Sequence, residues 1–500
     1  MPDSSRSLIR SMAVIGGAQA INILVSILRI KVLAILLGPT GVGLLSIYSS
    51  LQGMIGTAAG LGMGSSGVRQ IASVKGEEAK LGRVRCVLLA AHLVQGLIAM
   101  TGVWLLRTQI SDWLFGDRSY STEVGLIGIA ILLALLGTAQ TTLLQGMRRI
   151  EDLGRVTVYS ALVGTGTGLV AVWLYGQSGL IWFIVAQPLA ITAIAVRYTR
   201  RLPKTNKANS SLTEIWEVWK PMAKLGMAFM LGGLASTATL LLVRGHITQE
   251  LGLEAAGHFA AAWGITMTYV GFLLGAMAAD YYPRLTEVIN DRAASTLLMN
   301  DQAQLGLVIG GPVLLLLIGL APWTINLMYS AEFAPAAELL QWQTVGNVFK
   351  LASWALSFSI IAAARSKIFF FMELSFNIVF LLTIWCYLPI LGLNAAAIAF
   401  LLGYVVYFAV VSTLAHFLQG FRWQRATFMI LAMHATLAVM LLMLARVVPE
   451  VAAIASVCVA TVTLVLGLRI VLIKMGPEGR VAARLTRIYA AIGWPIRSIQ

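Results

Sequence analysis

Long apolar runs alternate with short polar connections along the whole chain. Each run extends for about 20 residues, the length that an α-helix needs to cross the roughly 30 Å hydrocarbon core of a bilayer. A transmembrane β-barrel would instead alternate apolar and polar residues one by one, so the pattern predicts an all-α integral membrane protein. About fourteen runs are long enough, and they lie near residues 9–37, 41–65, 86–106, 123–146, 156–175, 179–196, 221–249, 256–279, 304–328, 337–364, 368–389, 394–416, 427–446 and 451–473.

The composition agrees with this fold class. Hydrophobic residues make up 58% of the chain and charged residues 11%, whereas charged residues make up about 25% of an ordinary soluble domain. The net charge of +15 is explained by the excess of Lys and Arg that cytoplasmic loops of membrane proteins carry. It therefore does not indicate a nucleic-acid partner.

Basic residues are concentrated in every second connection. They are frequent at the N-terminus, in the connections near residues 69–85, 148–155, 197–224, 284–292, 365–367 and 422–425, and in the tail from Lys474 to Arg497. The intervening connections carry only Arg107, Arg118 and Arg446, besides Arg244 at the end of a run. By the positive-inside rule, we expect both termini to be cytoplasmic and the number of membrane crossings to be even.

Two glycine-rich turns indicate an internal repeat. LGPTGVG at residues 37–43 resembles LGLEAAG at residues 251–257, and a basic residue precedes each turn: Arg29 comes nine residues before Gly38, and Arg244 eight residues before Gly252. Such a repeat is typical of transporters built from two related halves. It predicts two six-helix halves in the same orientation. The expected boundaries are residues 1–200 for the N-terminal lobe, 201–220 for a cytoplasmic linker, 221–418 for the C-terminal lobe, 419–475 for an extra helix pair and 476–500 for a basic cytoplasmic tail.

The first run carries a polar stripe. Gln19, Asn22, Ser26 and Arg29 are spaced three, four and three apart, so they share one face of a helix, whereas Lys31 points elsewhere. A cation inside a membrane helix costs about 2.5–3.5 kcal/mol on insertion scales and persists where it faces a protein interior or a water-filled cavity. The stripe predicts a lumen lined by the first helix, with Arg29 placed to bind an anion. In the alternatives, Arg29 pairs with carbonyl groups inside the bundle or extends outward to the interface.

Other runs add polar positions to this predicted lumen. Polar residues in spans often only hold helices together, but a buried Lys is explained less well in that way. Carboxylates are scarce in the runs, and only Asp280 and Glu373 approach the membrane. A cationic cavity selects an anion, and a guanidinium binds phosphate oxygens through two parallel hydrogen bonds. The predicted substrate site comprises the cations Arg29, Lys31, Arg244 and Lys350, with Gln19, Asn22, Ser26, Gln52 and Asn347 as polar lining.

The sequence gives no indication of catalysis. It contains no phosphate-binding glycine loop followed by Lys and Ser or Thr, no HExxH motif and no serine nucleophile elbow. Its cysteines, Cys86, Cys386 and Cys458, lie far apart in apolar runs, which excludes a metal-binding spacing or a disulfide framework. We therefore expect no enzyme activity, no cofactor and no metal site.

The segment LRIKVLAILLGPTGVGLLSIYSSLQGMIGTAAGLGMGSSGVRQIASVKGEE resembles the start of bacterial polysaccharide translocases. These proteins form the branch of the multidrug/oligosaccharidyl-lipid/polysaccharide exporter superfamily that flips O-antigen and related lipid-linked oligosaccharides. The similar features are the long first span with its basic residues, the LGPTGVG turn, the GVRQIAS segment and the later QGMRRIEDLG turn. The likeness covers roughly the first twelve predicted spans.

The resemblance implies two pseudo-symmetric six-helix lobes around a central cationic cavity, with two extra C-terminal helices tolerated. It also implies alternating access and an undecaprenyl-diphosphate-linked oligosaccharide as substrate: a repeat unit of O-antigen, common antigen or exopolysaccharide. The expected location is the bacterial inner membrane, beside a glycan polymerase and a chain-length regulator. Of the family's site residues, only the cationic role of the first span is carried over, to Arg29 and Lys31.

Two alternatives remain open at this point. One is a cation-coupled multidrug or metabolite exporter of the same superfamily, which typically uses carboxylates in the spans of its N-terminal half. The other is a membrane glycan polymerase or ligase, which would need acidic residues on its outer face. The sequence has no carboxylate in the N-terminal spans, and the candidates for catalytic outer acids reduce to Asp112, Asp117 and Glu123, which share one short loop with Arg107 and Arg118.

Overall fold

The computed structural model describes residues 2–74, 76–202, 212–475, 480–491 and 493–496. Within these ranges the chain forms helices, two short 3-10 turns and connecting loops, without a β-strand. The prediction of an all-α protein is confirmed. The helices are α1 (Pro2–Gly60), α2 (Met63–Ser73), α3 (Glu78–Leu105), α4 (Arg107–Phe115), α5 (Ser121–Gly146), α6 (Ile150–Tyr175), α7 (Leu180–Thr199), α8 (Leu212–Val288), α9 (Arg292–Gly319), α10 (Ala321–Met328), α11 (Ala336–Ala362), α12 (Ser366–Leu391), α13 (Asn394–Gln419), α14 (Arg425–Val447), α15 (Pro449–Met475) and α16 (Arg480–Ala491).

Eleven helical segments of the described chain are long and apolar enough to cross a membrane. Three of them are 45 to 50 residues long, about twice the length of one crossing: Gly16–Gly60, Ile150–Thr199 and Met230–Gly275. Each of the three contains a break, at Gly38, at the 3-10 turn Gly176–Gly179 and at Gly252. If each forms two crossings, the total is fourteen; the number itself stays a prediction.

The backbone repeats its unusual turns in the two halves. Three pairs of residues, 214 or 216 positions apart, share a φ between 56° and 87°: Gly38 and Gly252, Arg148 and Ala364, and Gly176 and Gly392. In Gly38 and Gly252 this positive φ occurs together with ψ values of −167° and 172°, a region of backbone conformation that only glycine enters readily. Arg148 and Ala364 are not glycines, so the common fold, rather than the residue type, imposes their turn. The internal repeat read from the sequence is therefore present in the backbone.

Contacts divide the chain into two compact units. Unit 1 comprises Met1–Ala260 and Met328–Phe333, and unit 2 comprises Ala261–Leu327 and Ala334–Gln500. Unit 1 thus includes the first part of α8 and a six-residue segment that precedes α11. The lobe boundaries expected from the sequence stay a prediction.

Each unit has its own apolar core. In unit 1, Tyr48 of α1 is buried with Ile127 of α5 and Ile184 of α7. In unit 2, Leu307 of α9 is buried with Val348 of α11. These helices are apolar over most of their circumference, as helices surrounded by lipid and by other helices are expected to be.

The predicted linker and tail are described only in part. Residues 203–211 of the predicted linker lie outside the described residues, and α8 begins at Leu212, before the predicted end of the linker. Residues 476–479, 492 and 497–500 of the predicted basic tail also lie outside them. Between these positions the tail forms α16, so this part of it is an ordered helix.

Candidate functional site

The two glycine-rich turns of the repeat lie against each other within unit 1. The carbonyl oxygen of Leu253 is 2.1 Å from the position that a Cβ atom would occupy on Gly43, and that of Pro39 is 1.9 Å from the equivalent position on Gly257. A side chain at either glycine would force the backbones apart. The contacts are reciprocal, because Pro39 and Leu253 hold the same place in the repeat, as do the two glycines.

The same two helical segments approach each other again at their other ends. The carbonyl oxygen of Gly226 is 2.1 Å from the Cβ position of Gly62, and that of Leu61 is 2.2 Å from the Cβ position of Gly226. Residues 43–62, which comprise the end of α1 and the turn that follows it, therefore run antiparallel to residues 226–253 of α8 and in contact with them. Close approach of this kind, which small residues permit, holds membrane helices together. We call this contact the α1–α8 seam.

Arg244 lies in the middle of the seam and bonds across it. Its Nη1 atom donates to the carbonyl of Ser46 at 2.8 Å and to the hydroxyl of Ser50 at 2.5 Å. The side chain is buried, and its Nε atom has no hydrogen-bond partner among the described atoms. The hydrogen-bond partners of this buried guanidinium are thus neutral, and no described carboxylate pairs with it. A further hydrogen-bond acceptor near its Nε atom would therefore stabilise it.

Residues 328–333, which precede α11, pack on the turn end of the seam. Lys31 donates from its ammonium to the carbonyl of Tyr329, and the ring of His258 lies 3.1 Å from the carbonyl oxygen of Glu332. Tyr329 is also near enough to Arg244 for an electrostatic interaction, and it is buried. Two of the predicted cations, Lys31 and Arg244, therefore both interact with Tyr329. The sequence analysis did not point to this residue.

Arg29 has a different environment. It is partly exposed, and its guanidinium carbon lies 5.8 Å from the centroid of the Phe183 ring. The described part of the chain offers this guanidinium neither a hydrogen-bond partner nor an ion pair. Within the described residues, the guanidinium of Arg29 thus lies against an aromatic ring and has no anionic partner.

The polar stripe of the first span faces away from an exposed apolar face. At about 100° per residue, the stripe Gln19, Asn22, Ser26 and Arg29 lies roughly opposite three apolar side chains. Those side chains are 63–66% exposed: Leu24, Leu28 and Ile35. Within the stripe, Gln19 is exposed, and Asn22 and Ser26 are partly exposed. Gln52 of the seam is also partly exposed.

Lys350 and Asn347 lie on α11 in unit 2. The ammonium of Lys350 is 5.1 Å from the centroid of the Tyr404 ring and 3.6 Å from the sulfur of Met267. Glu373 of α12 is near enough to interact electrostatically with Lys350. Asn347 is fully buried, and neither atom of its amide has a partner among the described atoms. Lys350 thus has an acidic side chain as an electrostatic neighbour within its own unit.

Unit 1 contributes the cations Arg29, Lys31 and Arg244, and unit 2 contributes Lys350. Within the described residues, no group of three or more His, Cys, Asp or Glu side chains is arranged to hold a metal ion. Sequence reasoning named the cations as candidates, a role that stays a prediction, and it did not point to their neighbours Ser46, Ser50, Tyr329 and Phe183. The four-residue spacing of Ser46 and Ser50 was the only local signal, because it places both hydroxyls on one helix face.

Comparison with known proteins finds that the chain is similar to polysaccharide biosynthesis proteins and to two flippases. Residues 32–338 match a protein family described as "Polysaccharide biosynthesis protein". The chain is 24% identical over 392 residues to the "Lipid III flippase" of Escherichia coli (strain K12), which covers 76% of this chain and 91% of that protein. The same figures apply to the "Lipid III flippase" of Shigella flexneri. These matches confirm the resemblance read from the sequence.

Solved structures share the fold. "Lipid II flippase MurJ, inward closed conformation" superposes with a TM-score of 0.66 at 12% identity, covering 92% of this chain and 99% of that one. An inward-facing multidrug resistance MATE family transporter of the MOP superfamily gives 0.61 at 17% identity, covering 83% and 96%. At these identities the likeness concerns the fold alone.

Proposed function

The chain belongs to the polysaccharide biosynthesis protein family, and on that premise we propose that it is a lipid-linked oligosaccharide flippase. Its substrate is an oligosaccharide on undecaprenyl diphosphate, and the product is the same molecule in the opposite leaflet. No covalent bond changes. The proposal includes a place in the bacterial cytoplasmic membrane with both termini in the cytoplasm, and a glycan polymerase and chain-length regulator as neighbours in the pathway.

The observation that carries the proposal is the state of Arg29. A guanidinium within a membrane span that the described chain leaves without an anionic partner is costly unless it binds something. A diphosphate presents paired oxygens to which a guanidinium can donate two parallel hydrogen bonds. The diphosphate would therefore sit at the first span, with the glycan in the polar lumen and the polyprenyl tail in lipid.

The seam supports a route for alternating access. Its turn end, at Gly43 and Gly257, would be the periplasmic gate, because the predicted topology places these turns outside. When that end parts, Arg244 loses Ser46 and Ser50 and becomes available to the diphosphate. Arg29 and Arg244, which lie nine and eight residues before the equivalent glycines of the repeat, would then hold the headgroup in turn.

Lys350 is proposed as a further anion-binding residue, on the basis of its burial among aromatic and sulfur groups of unit 2. Its electrostatic neighbour Glu373 lowers the free energy of the empty site. Substrate binding at Lys350 would then require that the ammonium turn away from Glu373.

A reconstituted transport assay tests the proposal. Purified protein is placed in liposomes with an undecaprenyl-diphosphate-linked oligosaccharide, and an impermeant glycosidase reports which leaflet holds the glycan. Loss of a charge-assisted pair costs about 1.5–3 kcal/mol, so Arg29→Ala should weaken substrate binding by roughly 10- to 150-fold. Arg29→Lys should restore part of the loss, because an ammonium retains the charge but lacks the planar fork.

Arg118→Gln is the matched control, because this arginine is exposed and lies on the connection between α4 and α5. It should transport like the unsubstituted protein. Absence of glycan movement with the unsubstituted protein would refute the flippase assignment. Efflux of cationic drugs under the same conditions would favour a multidrug exporter, and a change in glycan length would favour a polymerase or ligase.

A further inference from the structure

The two ends of α15 mark two membrane boundaries within unit 2. Just before it, Arg446 forms an ion pair with Glu338 and lies 5.2 Å from the ring of Trp342, a combination typical of the membrane–water interface. Helix α15 begins at Pro449. A hydrocarbon core of roughly 30 Å is crossed by about 20 residues at 1.5 Å each, so the opposite boundary falls near Arg469.

The helix α16 is attached to α15 at that opposite boundary. The guanidinium of Arg469 lies 4.3 Å from the centroid of the Trp494 ring, and the hydroxyl of Tyr489 donates to the carbonyl of Val465 at 2.5 Å. Tyr and Trp favour the headgroup region, where one end of the ring is apolar and the other is hydrated. These contacts predict that α16 lies at the depth of the lipid headgroups.

Helix α16 presents basic and apolar side chains together. Arg484 and Arg487 are exposed and, three residues apart, share a face. The sequence has no acidic residue from position 480 to position 500, and in the described ranges neither guanidinium has a carboxylate partner. Ile488 of α16 is 46% exposed, and Trp494, three residues after the end of the helix, is 40% exposed. This is the pattern of a helix that lies in a membrane interface.

We propose that α16 binds the headgroups of anionic glycerophospholipids and thereby fixes the end of α15 in an acidic leaflet. Each Arg near such a surface gains from the negative surface potential, and the gain decreases within a Debye length. Apolar side chains of the same helix enter the boundary between headgroups and acyl chains. This inference does not depend on the substrate of the transporter.

The test uses the full-length protein in nanodiscs. Cys86, Cys386 and Cys458 are replaced by serine, and the exposed Ala491 is replaced by cysteine and labelled with an environment-sensitive dye. Emission should shift to shorter wavelength when phosphatidylcholine is exchanged for phosphatidylglycerol. The Arg484→Gln, Arg487→Gln variant should lower the ratio of bound to free α16 by roughly 30-fold at low salt.

Three controls keep the test decisive. Arg484→Lys, Arg487→Lys retains both charges and should restore the shift, which separates loss of charge from misfolding. Arg118→Gln, an exposed arginine on another connection, should leave the shift unchanged. Glycerol 3-phosphate added to phosphatidylcholine discs should not reproduce it. Equal emission in both lipids, or an equal response of the glutamine variant, would overturn the proposal.

Discussion

Replacing Gly257 by alanine should disfavour the closed α1–α8 seam. The new Cβ atom would lie 1.9 Å from the carbonyl oxygen of Pro39, and the two backbones would have to separate by about 1.1 Å for this distance to reach 3.0 Å. Overpacking of this kind costs about 1–3 kcal/mol. Each 1.4 kcal/mol changes an equilibrium constant tenfold, so the ratio of closed to open seam should decrease by roughly 5- to 150-fold.

Crosslinking at the turns measures that loss. Cysteines at Thr40 and Glu254, which hold the same place in the repeat and are both exposed, are joined by a short bifunctional thiol reagent in a cysteine-free background. A cysteine at Gly41 is unsuitable, because its Cβ would lie 2.3 Å from the Cβ of Leu37. The yield should decrease with Gly257→Ala.

Gly53→Ala is the matched control for this prediction. Gly53 lies on the seam segment of α1, yet nothing lies within 4 Å of its Cβ position. The control should crosslink like the parent. Addition of lipid-linked oligosaccharide should change the parent's yield, since binding favours one arrangement of the helices. If Gly257→Ala crosslinks as readily as Gly53→Ala, the reciprocal glycine contact does not govern closure of the seam.

Three further predictions follow from the site and the charge distribution. Reporter fusions after Lys207 and at the C-terminus should report the cytoplasm, and one near Ala331 the outer side; a periplasmic C-terminus would contradict an even number of crossings. Lys350→Ala should abolish glycan export while the protein still accumulates in the membrane; normal export would assign Lys350 a structural role. Ser50→Ala removes one of the two acceptors of Arg244, so it should lower the melting temperature of the purified protein. The same substitution should lower it less when Arg244 is already alanine, and equal decreases in both backgrounds would mean that the hydrogen bond contributes nothing.

The sequence by itself determined the features that depend on neighbours along the chain. Apolar runs of membrane length predicted the helices, and helices α5, α11 and α13 begin and end within two or three residues of the predicted spans. The glycine turns at Gly38 and Gly252 were visible because only glycine enters their backbone conformation readily. The stripe that includes Arg29 was visible because helical periodicity reports which residues share a face.

Only the tertiary structure decided what each face meets. Arg244 was predicted beside Arg29 as a substrate ligand, and the structure gives it Ser46 and Ser50, nearly 200 positions away. Tyr329 joins Lys31 and Arg244 from a segment that nothing in the local sequence distinguishes. The physical reason is that periodicity fixes the direction of a side chain relative to its own helix axis, whereas its partner depends on how distant helices pack, and that packing follows from shape and close approach summed over the whole fold.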